Sequence, residues 1–503
     1  MEQELVTHTR AYREMLLKDA YRPGYHFALP DDNGYPGDPN GAFFADGVYH
    51  LMYLYKSSAT GGYHWGHVSS LDLIHWRHHA DALTVQEGDE GCYSGGAFVD
   101  DDGTAYLSFW KFPAADRTKD RGGIALACAK PPYEVWERME PLAVESSEDW
   151  GIADIEINGS VLHIGCADPS NIWKTNGKYY MQLGNKQVLD RYGTAEARYR
   201  GDWTELVCSS DLRKWEYVGR FYENPQRGIE DYPDETEDDM CPSFLPLFDA
   251  KENGNPTGKY LQLFISHNHG CQYYVGRLEG ERFYPETHGR MSWADRTYFA
   301  PEALVDDGRR HIIWSWLCDK PKHDFQKYGW SGVYAFPRLV WWANGELKMA
   351  PADALDGLQY SHRVYSATNG DAVPVANGES FRLRGVWNAR DRVGVRVRVS
   401  EDAAEFTEIY YSPEEGMLVM DTTHSGSGGV RVRECAPFKL QNGEALSLDV
   451  FVDKSVVEVY ANERQAICRR IYPTDPEKSM GVTLIGERPV RLDSYAIFPC
   501  NPY

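Results

Sequence analysis

Beyond about residue 20, the pattern of apolar and polar positions has little of the three-to-four-residue spacing typical of helices. Short runs rich in β-branched and aromatic residues alternate with polar residues, and Gly, Asp, Asn or Pro separates one run from the next. Such alternation predicts strands that bury one face. The polar, amphipathic residues 1–20 predict a short helical segment. We therefore expect an all-β protein with a helical N-terminal segment.

One hairpin signature recurs, in which a Gly turn opens a strand of alternating large residues. It occurs at residues 46–53, 102–109, 176–183, 257–264 and 307–314. The spacing of 50 to 81 residues between successive glycines is loose but is compatible with the blades of a propeller. The five hairpins predict a five-bladed β-propeller over residues 1–350.

Two further repeats support a duplicated structural unit. The pattern S-x-D-L-x-x-W at residues 70–76 recurs at residues 209–215. Asp38 and Asp168 each precede a proline, and each lies nine residues ahead of a hairpin glycine. Because the inner strands of a propeller line its central channel, equivalent placement predicts that both carboxylates face that channel. The alternative is that each Asp-Pro pair only opens a turn.

The propeller pattern ends near residue 350, and residues 351–360 read as a linker. Strictly alternating runs such as 392–399, 446–453 and 456–462 follow at short spacings. This pattern is typical of two packed antiparallel sheets. We expect residues 361–503 to form a β-sandwich that is structural or shapes one edge of the site.

Composition narrows the classes of function. The formal net charge of −23 argues against a nucleic-acid partner and is compatible with a small neutral sugar. The N-terminal residues lack a signal-peptide pattern, no apolar run could span a membrane, and the ten cysteines form no C-x-x-C pair. We therefore expect a cytoplasmic location with reduced cysteines.

The sequence gives only weak signals for a cofactor, a metal site or an assembly state. No dinucleotide-binding or phosphate-loop motif occurs in a strand–helix context, so no cofactor is expected. His267 and His269 could ligate a metal, although two such positions on one strand are usually only polar. No metal is expected, and a homodimer remains an open alternative for the assembly.

Nearly the whole chain resembles glycoside hydrolase family 32, the invertases, levanases, inulinases and other fructosidases. The resemblance rests on motifs in the same order as in that family, including RPGYHFALPDDNGYPGDPNG (22–41), HWGHVSSLDLIHW (64–76), GCYSGGAF (91–98), ADPS (167–170), CPSFLPL (241–247) and YFAPEAL (298–304). The family fold, a five-bladed propeller followed by a β-sandwich, agrees with the hairpin count.

The resemblance implies retaining hydrolysis of a β-fructofuranoside through a covalent glycosyl-enzyme. Asp38 falls on the nucleophile of the family's D-P-N-G motif, and Asp168 falls on its transition-state stabiliser. The motif positions expected to contact the sugar are Asn40, Trp65, Tyr93 and Ser94.

Four positions depart from the family pattern. Met240 stands where the family has the acid/base Glu before Cys-Pro, and a thioether cannot transfer a proton. Ala167 replaces an Arg, Gly37 replaces an Asn and Leu54 replaces a Gln. Because both aspartates are retained while these four positions differ, we expect an altered pocket.

A replacement acid could come from the run DETEDDMCP at residues 234–242. Side chains at i and i+2 of a strand share a face, so Asp238 would point the same way as Met240. A bulge would instead favour Asp239. The acidic run, which continues upstream with Glu230 and Asp231, could also be only a solvated loop. Glu302 is a weaker candidate for the acid.

Three functions remain in competition. The first is an active β-fructofuranosidase-like hydrolase with a non-standard acid. The second is a catalytically impaired protein that binds sugars in the inherited pocket. The third is a hydrolase or transferase of an unusual difructose- or arabinofuranoside-type glycoside. Retention of both Asp38 and Asp168 favours the enzyme functions, because sugar binding alone does not need this pair.

Overall fold

The computed structural model describes residues 2–29, 33–86, 88–113, 121–223, 238–318 and 328–501, the side chains of residues 2–7 apart. In these ranges the chain is mostly strand, which confirms the predicted all-β class. The α-helices are α1 (Glu2–Lys18) and α2 (Lys186–Tyr192). Short 3₁₀ helices occur at Ala197–Tyr199, Asp353–Leu358 and Ala367–Asn369.

Strands β1 to β10 form one antiparallel-dominated sheet of ten strands. They are β1 (Pro39–Ala45), β2 (Val48–Lys56), β3 (Tyr63–Ser70), β4 (Trp76–His78), β5 (Asp89–Tyr93), β6 (Ala97–Val99), β7 (Ala105–Pro113), β8 (Gly123–Ala129), β9 (Glu137–Arg138) and β10 (Val144–Glu145). A separate hairpin follows, formed by β11 (Ile152–Ile157) and β12 (Ser160–Gly165).

Three four-stranded antiparallel meanders come next, each in sequence order. Their strands are β13 (Trp173–Thr175), β14 (Lys178–Leu183), β15 (Glu205–Ser209), β16 (Trp215–Arg220), β17 (Met240–Phe248), β18 (Pro256–Ser266), β19 (Gly270–Glu279), β20 (Arg282–Arg290), β21 (Tyr298–Val305), β22 (His311–Leu317), β23 (Arg338–Ala343) and β24 (Glu346–Pro351). Successive meanders of this kind are the building units of propellers.

The recurrent glycines open these hairpins with one exception. Gly47, Gly103, Gly177 and Gly308 lie in the turns that precede β2, β7, β14 and β22. The fifth glycine, Gly258, lies inside β18 with a φ of +73°, because the chain has already reversed at residues 249–255. The turn of this hairpin therefore lies several residues earlier in the chain than the glycine predicted.

The repeated S-x-D-L-x-x-W segments form the same turn in two sheets. In the first, Ser70 Oγ accepts the backbone N–H of Leu73, and Asp72 Oδ1 accepts that of Ile74. In both segments the leucine has a positive φ, 72° at Leu73 and 61° at Leu212. The tryptophan then begins the fourth strand of the unit, β4 or β16.

Hydrogen bonds link the inner strands and the segments leading into them, first within the ten-stranded sheet and then from sheet to sheet. They join Gly41 N to Gly95 O at 3.3 Å, Ser108 Oγ to Ser170 O at 2.7 Å, Asn171 Nδ2 to Phe244 O at 3.1 Å, His311 Nδ1 to Pro246 O at 3.1 Å, and Ala42 N to Glu302 Oε1 at 2.8 Å. The last bond connects β1 to β21, so the first and last sheets of this half of the chain meet.

Three inner strands carry a bulge near their N-terminal ends. The pairing register shifts between Asn40 and Phe43 in β1, between Met240 and Ser243 in β17, and between Phe299 and Glu302 in β21. Each bulge contains a residue with positive φ: Gly41 at 54°, Cys241 at 46° and Ala300 at 47°. Bulges re-aim side chains and are common beside active sites.

Residues 359–497 build two further sheets, of six and five strands. Their strands are β25 (Gln359–Val364), β26 (Ser380–Trp387), β27 (Val393–Val399), β28 (Thr407–Ser412), β29 (Met417–Asp421), β30 (Arg433–Pro437), β31 (Leu446–Asp453), β32 (Val456–Ala461), β33 (Gln465–Arg470), β34 (Gly481–Ile485) and β35 (Arg491–Ile497). Alternate residues of β31, from Leu446 to Val452, are buried in a shared apolar core. This arrangement is the predicted β-sandwich.

The segment before β1 ties the two halves of the molecule together. The Asp453 carboxylate, at the end of β31, accepts the backbone N–H groups of Gly24, Tyr25 and His26 at 2.7 to 2.8 Å. Arg338 of β23 and Glu458 of β32 form a fully buried ion pair at 3.3 Å. The domain boundaries at residues 350 and 360 remain predictions.

No helix in the described part of the chain combines the length and the apolarity needed to cross a membrane.

Candidate active site

Asp38 lies directly before β1, and its side chain is buried but not sealed, with 8% of the residue exposed. Ser94 Oγ donates a hydrogen bond of 2.6 Å to Asp38 Oδ2. Asp38 Oδ1 has no hydrogen-bond partner among the described residues. One carboxylate oxygen is therefore held by Ser94, while the other is buried without a donor from the described residues, so its lone pairs are not engaged by the protein, as a nucleophile requires.

Asn40 holds this arrangement from behind. Its Nδ2 donates to the backbone oxygen of Asp38 at 3.1 Å, and its Oδ1 accepts the backbone N–H of Gly95 at 3.1 Å. Both polar ends are thus occupied by backbone, and the residue is 1% exposed. Asn40 therefore supports the backbone at Asp38 and Gly95, and its contact with a sugar stays a prediction.

Asp168 lies close to Asp38 from a different sheet, as the two Asp-Pro pairs predicted. It precedes β13, has a strained φ of 38° and is 7% exposed. Cys241 Sγ donates to Asp168 Oδ2 at 3.4 Å. Burial and the neighbouring carboxylates raise the pKa of the Cys241 thiol well above its usual value, so it remains protonated and able to donate.

The pKa values of both carboxyl groups are raised. Burial raises the pKa of Asp38 to about 6, against the opposing effects of the Ser94 hydrogen bond and the nearby His267. Burial and the charge of Asp38 raise the pKa of Asp168 to about 7. A pair of buried carboxyls with separated pKa values is a recognised feature of catalytic sites.

The two predicted candidates for the acid have different surroundings. Asp239 is 0% exposed, and Tyr222 Oη donates to its Oδ2 at 2.7 Å, so it has no surface from which to reach a substrate. The bulge of β17 begins only after Met240 and does not turn Asp239 outward. Asp234, Glu235 and Glu237, with Glu230 and Asp231, lie outside the described residues.

Asp238 is hydrogen-bonded to His267, a residue for which the sequence predicted only a polar position on a strand. Asp238 Oδ2 lies 2.6 Å from His267 Nδ1, and Asp238 Oδ1 accepts the backbone N–H of His267 at 3.0 Å. The imidazole is 38% exposed and is close enough to lower the pKa of both Asp38 and Asp168. The contact follows from the pairing of β17 with β18, in which Met240 lies opposite Ile265, and the sequence alone does not give that register.

Aromatic side chains flank the carboxylates on two sides. Tyr93 is partly exposed, and its ring centroid lies 4.8 Å from that of Tyr63 and 4.9 Å from that of Phe112. On the other side, Phe299 packs edge-on against His267 and Trp316. Such faces suit the apolar surface of a sugar ring.

Trp65 does not belong to these flanking groups. It is 0% exposed and lies in the apolar core behind β1, where a Cβ on Gly41 would approach its ring to 3.0 Å. The expected contact between its face and a sugar is not available in this structure. The motif showed that the tryptophan was present but not which side of β3 it would occupy.

The four positions that depart from the family pattern are packed by apolar groups. A Cβ on Gly37 would lie 3.2 Å from the Trp316 ring and 2.7 Å from the Gly34 oxygen. Leu54 is 0% exposed and belongs to the core beneath Asp38. Ala167 bridges to Gly184, where a Cβ would meet Met240 Sδ at 2.5 Å. The surrounding atoms leave no room for a side chain at Gly37, and the buried side chains of Leu54 and Ala167 are apolar.

Glu302, the weaker candidate for the acid, has a structural position. Its Oε1 accepts the Ala42 N–H at 2.8 Å across the junction of β1 and β21, and the residue is 3% exposed. Burial raises its pKa well above the usual value, which favours the uncharged form. Its side chain therefore joins the first and last sheets as a hydrogen-bond acceptor.

Metal ligands do not gather anywhere in the ranges that the structure describes: no group of three or more His, Cys, Asp or Glu side chains could hold an ion. His267 is engaged by Asp238 instead.

Comparison with known families and proteins adds an independent line of information. The profile of the glycosyl hydrolases family 32 N-terminal domain matches residues 26–351, and that of the family 32 C-terminal domain matches residues 359–497. Together they span most of the chain.

Individual proteins resemble the chain over nearly its full length. A sucrose-6-phosphate hydrolase from Zymomonas mobilis is 26% identical over 96% of this chain and 92% of its own. A raffinose invertase from Escherichia coli is 27% identical over 92% of both chains. The crystal structure of fructan 1-exohydrolase IIa from Cichorium intybus superposes with a TM-score of 0.77 at 19% identity, over 96% of this chain and 98% of that one.

Proposed function

Because the chain belongs to glycosyl hydrolase family 32 and is a glycoside hydrolase, we propose that it cleaves a β-fructofuranoside with retention of configuration. Asp38 is the nucleophile and Asp168 stabilises the oxocarbenium-like transition state. The observation that carries this proposal is the free Oδ1 of a buried Asp38 whose other oxygen is held by Ser94. The names of the relatives support a substrate of this class.

In the first step, the bond between the fructosyl anomeric carbon and the leaving oxygen breaks while Asp38 Oδ1 bonds to that carbon. The positive charge that develops on the sugar is stabilised by the Asp168 carboxylate. The hydrogen bond from Ser94 to Oδ2 restricts the rotation of the Asp38 carboxylate. In the second step, water attacks the same carbon and releases the aspartate.

We further propose that the groups β1–β4, β5–β10, β13–β16, β17–β20 and β21–β24 act as five blades around this site. A cytoplasmic location and a homodimer stay predictions.

The departures from the family pattern favour an unusual glycoside over plain sucrose. Gly37, Leu54 and Ala167 provide no polar side chain at positions where the family binds sugar hydroxyls, so the contacts to the sugar must differ. A difructose- or arabinofuranoside-type glycoside remains the alternative substrate. The buried Met240 favours a second candidate function, a sugar-binding protein without turnover.

The test is a product assay with sucrose, raffinose, short inulin- and levan-type oligosaccharides, difructose dianhydrides and arabinofuranosides. We expect release of fructose by the native protein and none by Asp38→Ala. Analysis of the first-formed anomer by NMR should show retained configuration. Calorimetric binding of these sugars without any turnover would support the binding protein and contradict the hydrolase.

A further inference from the structure

The tip of the β18–β19 hairpin occupies the space beside the position of the missing acid. Met240 is paired with Ile265, and continuing this antiparallel register places Asp238 opposite His267. His267 follows the last residue of β18 and belongs to the turn that leads into β19. The hairpin therefore brings an imidazole to the carboxylates from the strand next to the altered one.

The contacts of His267 leave one ring nitrogen for chemistry. Nδ1 is bound to Asp238 Oδ2, so Nε2 is the nitrogen that remains for a substrate. Phe299 packs edge-on against the ring at a centroid distance of 5.8 Å, which limits its orientation. Asp238 is itself almost fully buried, so its carboxylate has little contact with solvent and is hydrogen-bonded to His267 instead.

We propose that His267, held and polarised by Asp238, is the general acid and base of this hydrolase, in place of the glutamate that other family members carry before Cys-Pro. The proposal rests on the proposed function, because it assigns the proton transfers of that reaction.

The two steps balance as follows. His267 Nε2–H gives its proton to the leaving oxygen as the glycosidic bond breaks and Asp38 Oδ1 bonds to the anomeric carbon. The neutral His267 then takes a proton from water, whose oxygen attacks that carbon and displaces Asp38. Asp238 takes no proton in either step; its hydrogen bond to Nδ1 orients the ring and stabilises the imidazolium, so it is a positioning residue and not a proton carrier.

The charges around His267 favour this role. Burial disfavours the imidazolium, but the hydrogen bond and the charge of Asp238 outweigh it and raise the pKa of His267, with a smaller contribution from Asp168. Lys186 of α2 acts in the opposite direction. Arg296 binds the backbone oxygen of His267 at 3.0 Å. A raised pKa favours the protonated imidazole, which is the form that general acid catalysis needs.

The decisive experiment compares His267→Gln and Asp238→Asn with the matched control His269→Gln from the same hairpin. On a fructoside with a sugar leaving group, we expect His267→Gln to lower kcat/KM by about 10²- to 10⁴-fold and to remove the basic limb of the pH profile. With a p-nitrophenol leaving group, which needs no proton, the loss should be much smaller. Azide should restore part of the turnover.

Asp238→Asn should retain more activity than His267→Gln and should move the basic limb to lower pH, because the imidazolium loses its counter-charge. His269→Gln should behave as the native protein. Equal melting temperatures for the three variants would exclude unfolding as the cause.

Two outcomes would overturn the proposal: near-native turnover by His267→Gln, or a larger loss in Asp238→Asn than in His267→Gln, which would make Asp238 the acid. An inactive native protein would instead refute the proposed function. The His267 NMR titration is independent of turnover: its pKa should lie above the usual value and fall in Asp238→Asn. An unshifted His267 would contradict the dyad by itself.

Discussion

Asp38 and Asp168 are buried carboxyl groups that serve the proposed reaction but lower the stability of the folded protein when they are ionised. Burial raises the pKa values of both groups, and the charge of Asp38 raises that of Asp168 further, so ionising them at neutral pH costs free energy in the folded protein. In the unfolded chain the same groups ionise at their ordinary pKa values and carry no such cost. The pair therefore sets both the acidic limb of the activity and part of the stability of the molecule.

The first prediction concerns the pH dependence of turnover. Asp38 must be ionised to attack and Asp168 must be ionised to stabilise positive charge, so kcat/KM should fall as the pH drops through about 7 and then about 6. Initial rates between pH 4.5 and 9 measure this. Undiminished activity at pH 4.5 would contradict the assignment of both roles.

The second prediction concerns the stability of Asp168→Asn. A folded-state pKa of about 7, above the ordinary 3.8, means that the native carboxyl destabilises the fold increasingly as the pH rises through this interval. Removing it should therefore raise the free energy of unfolding at pH 8 by about 1–4 kcal/mol, since one pKa unit corresponds to about 1.4 kcal/mol. The gain should vanish near pH 4. Thermal melts at both pH values, alongside a loss of turnover, test this.

At the level of elements, the site lies on the inner strands and the segments next to them. The sequence predicts some of its features and not others. The hairpin glycines and the S-x-D-L-x-x-W turns are local signals, so four of the five turns and the approach of Asp38 to Asp168 could be predicted. The contact between His267 and Asp238 could not, because it depends on the pairing of β17 with β18. The burial of Trp65 and Asp239 depends likewise on packing between sheets, which alternation along one strand does not reveal.

The third prediction addresses the junction of β1 and β21. Burial raises the pKa of Glu302 and favours its uncharged form, and its side chain accepts the Ala42 N–H. Glu302→Gln keeps this acceptor and should therefore change stability by less than about 1 kcal/mol. Glu302→Ala leaves that buried N–H without a partner and should cost about 1–3 kcal/mol. Denaturant titrations measure both. Loss of turnover in a well-folded Glu302→Gln would instead indicate a catalytic role.

At the level of the whole molecule, a charged layer joins the two halves of the chain. Burial opposes the charged forms of His26 and Glu458. The pKa of His26 is nevertheless raised, by Asp453 and then by Glu458, and that of Glu458 is lowered, by His26 and Arg338. The contribution of Glu458 is present above its ordinary pKa and is lost as the pH falls through its folded value. That of His26 is present below its ordinary pKa and is lost as the pH rises through its folded value.

The fourth prediction tests this layer with Glu458→Gln. The substitution leaves the fully buried Arg338 without a carboxylate partner, which typically costs about 3–5 kcal/mol. Glu415→Gln, which breaks the exposed pair with Arg433, is the matched control and should cost less than about 1 kcal/mol. Calorimetric melts should show a clear fall for the first variant only. Equal effects would show that the layer does not hold the two halves together.

The proline pairs of the inner strands have a consequence for how this molecule can evolve. Asp168, Cys241 and Ala300 all precede a proline, and all three have φ values between 38° and 47°. The three residues thus have the same backbone conformation on neighbouring sheets. A different side chain at any of them leaves the hydrogen bonding of its sheet unchanged. A lineage built in this way can lose a reactive group at one point and recruit another from an adjacent hairpin, so its chemistry is free to drift while its architecture stays constant.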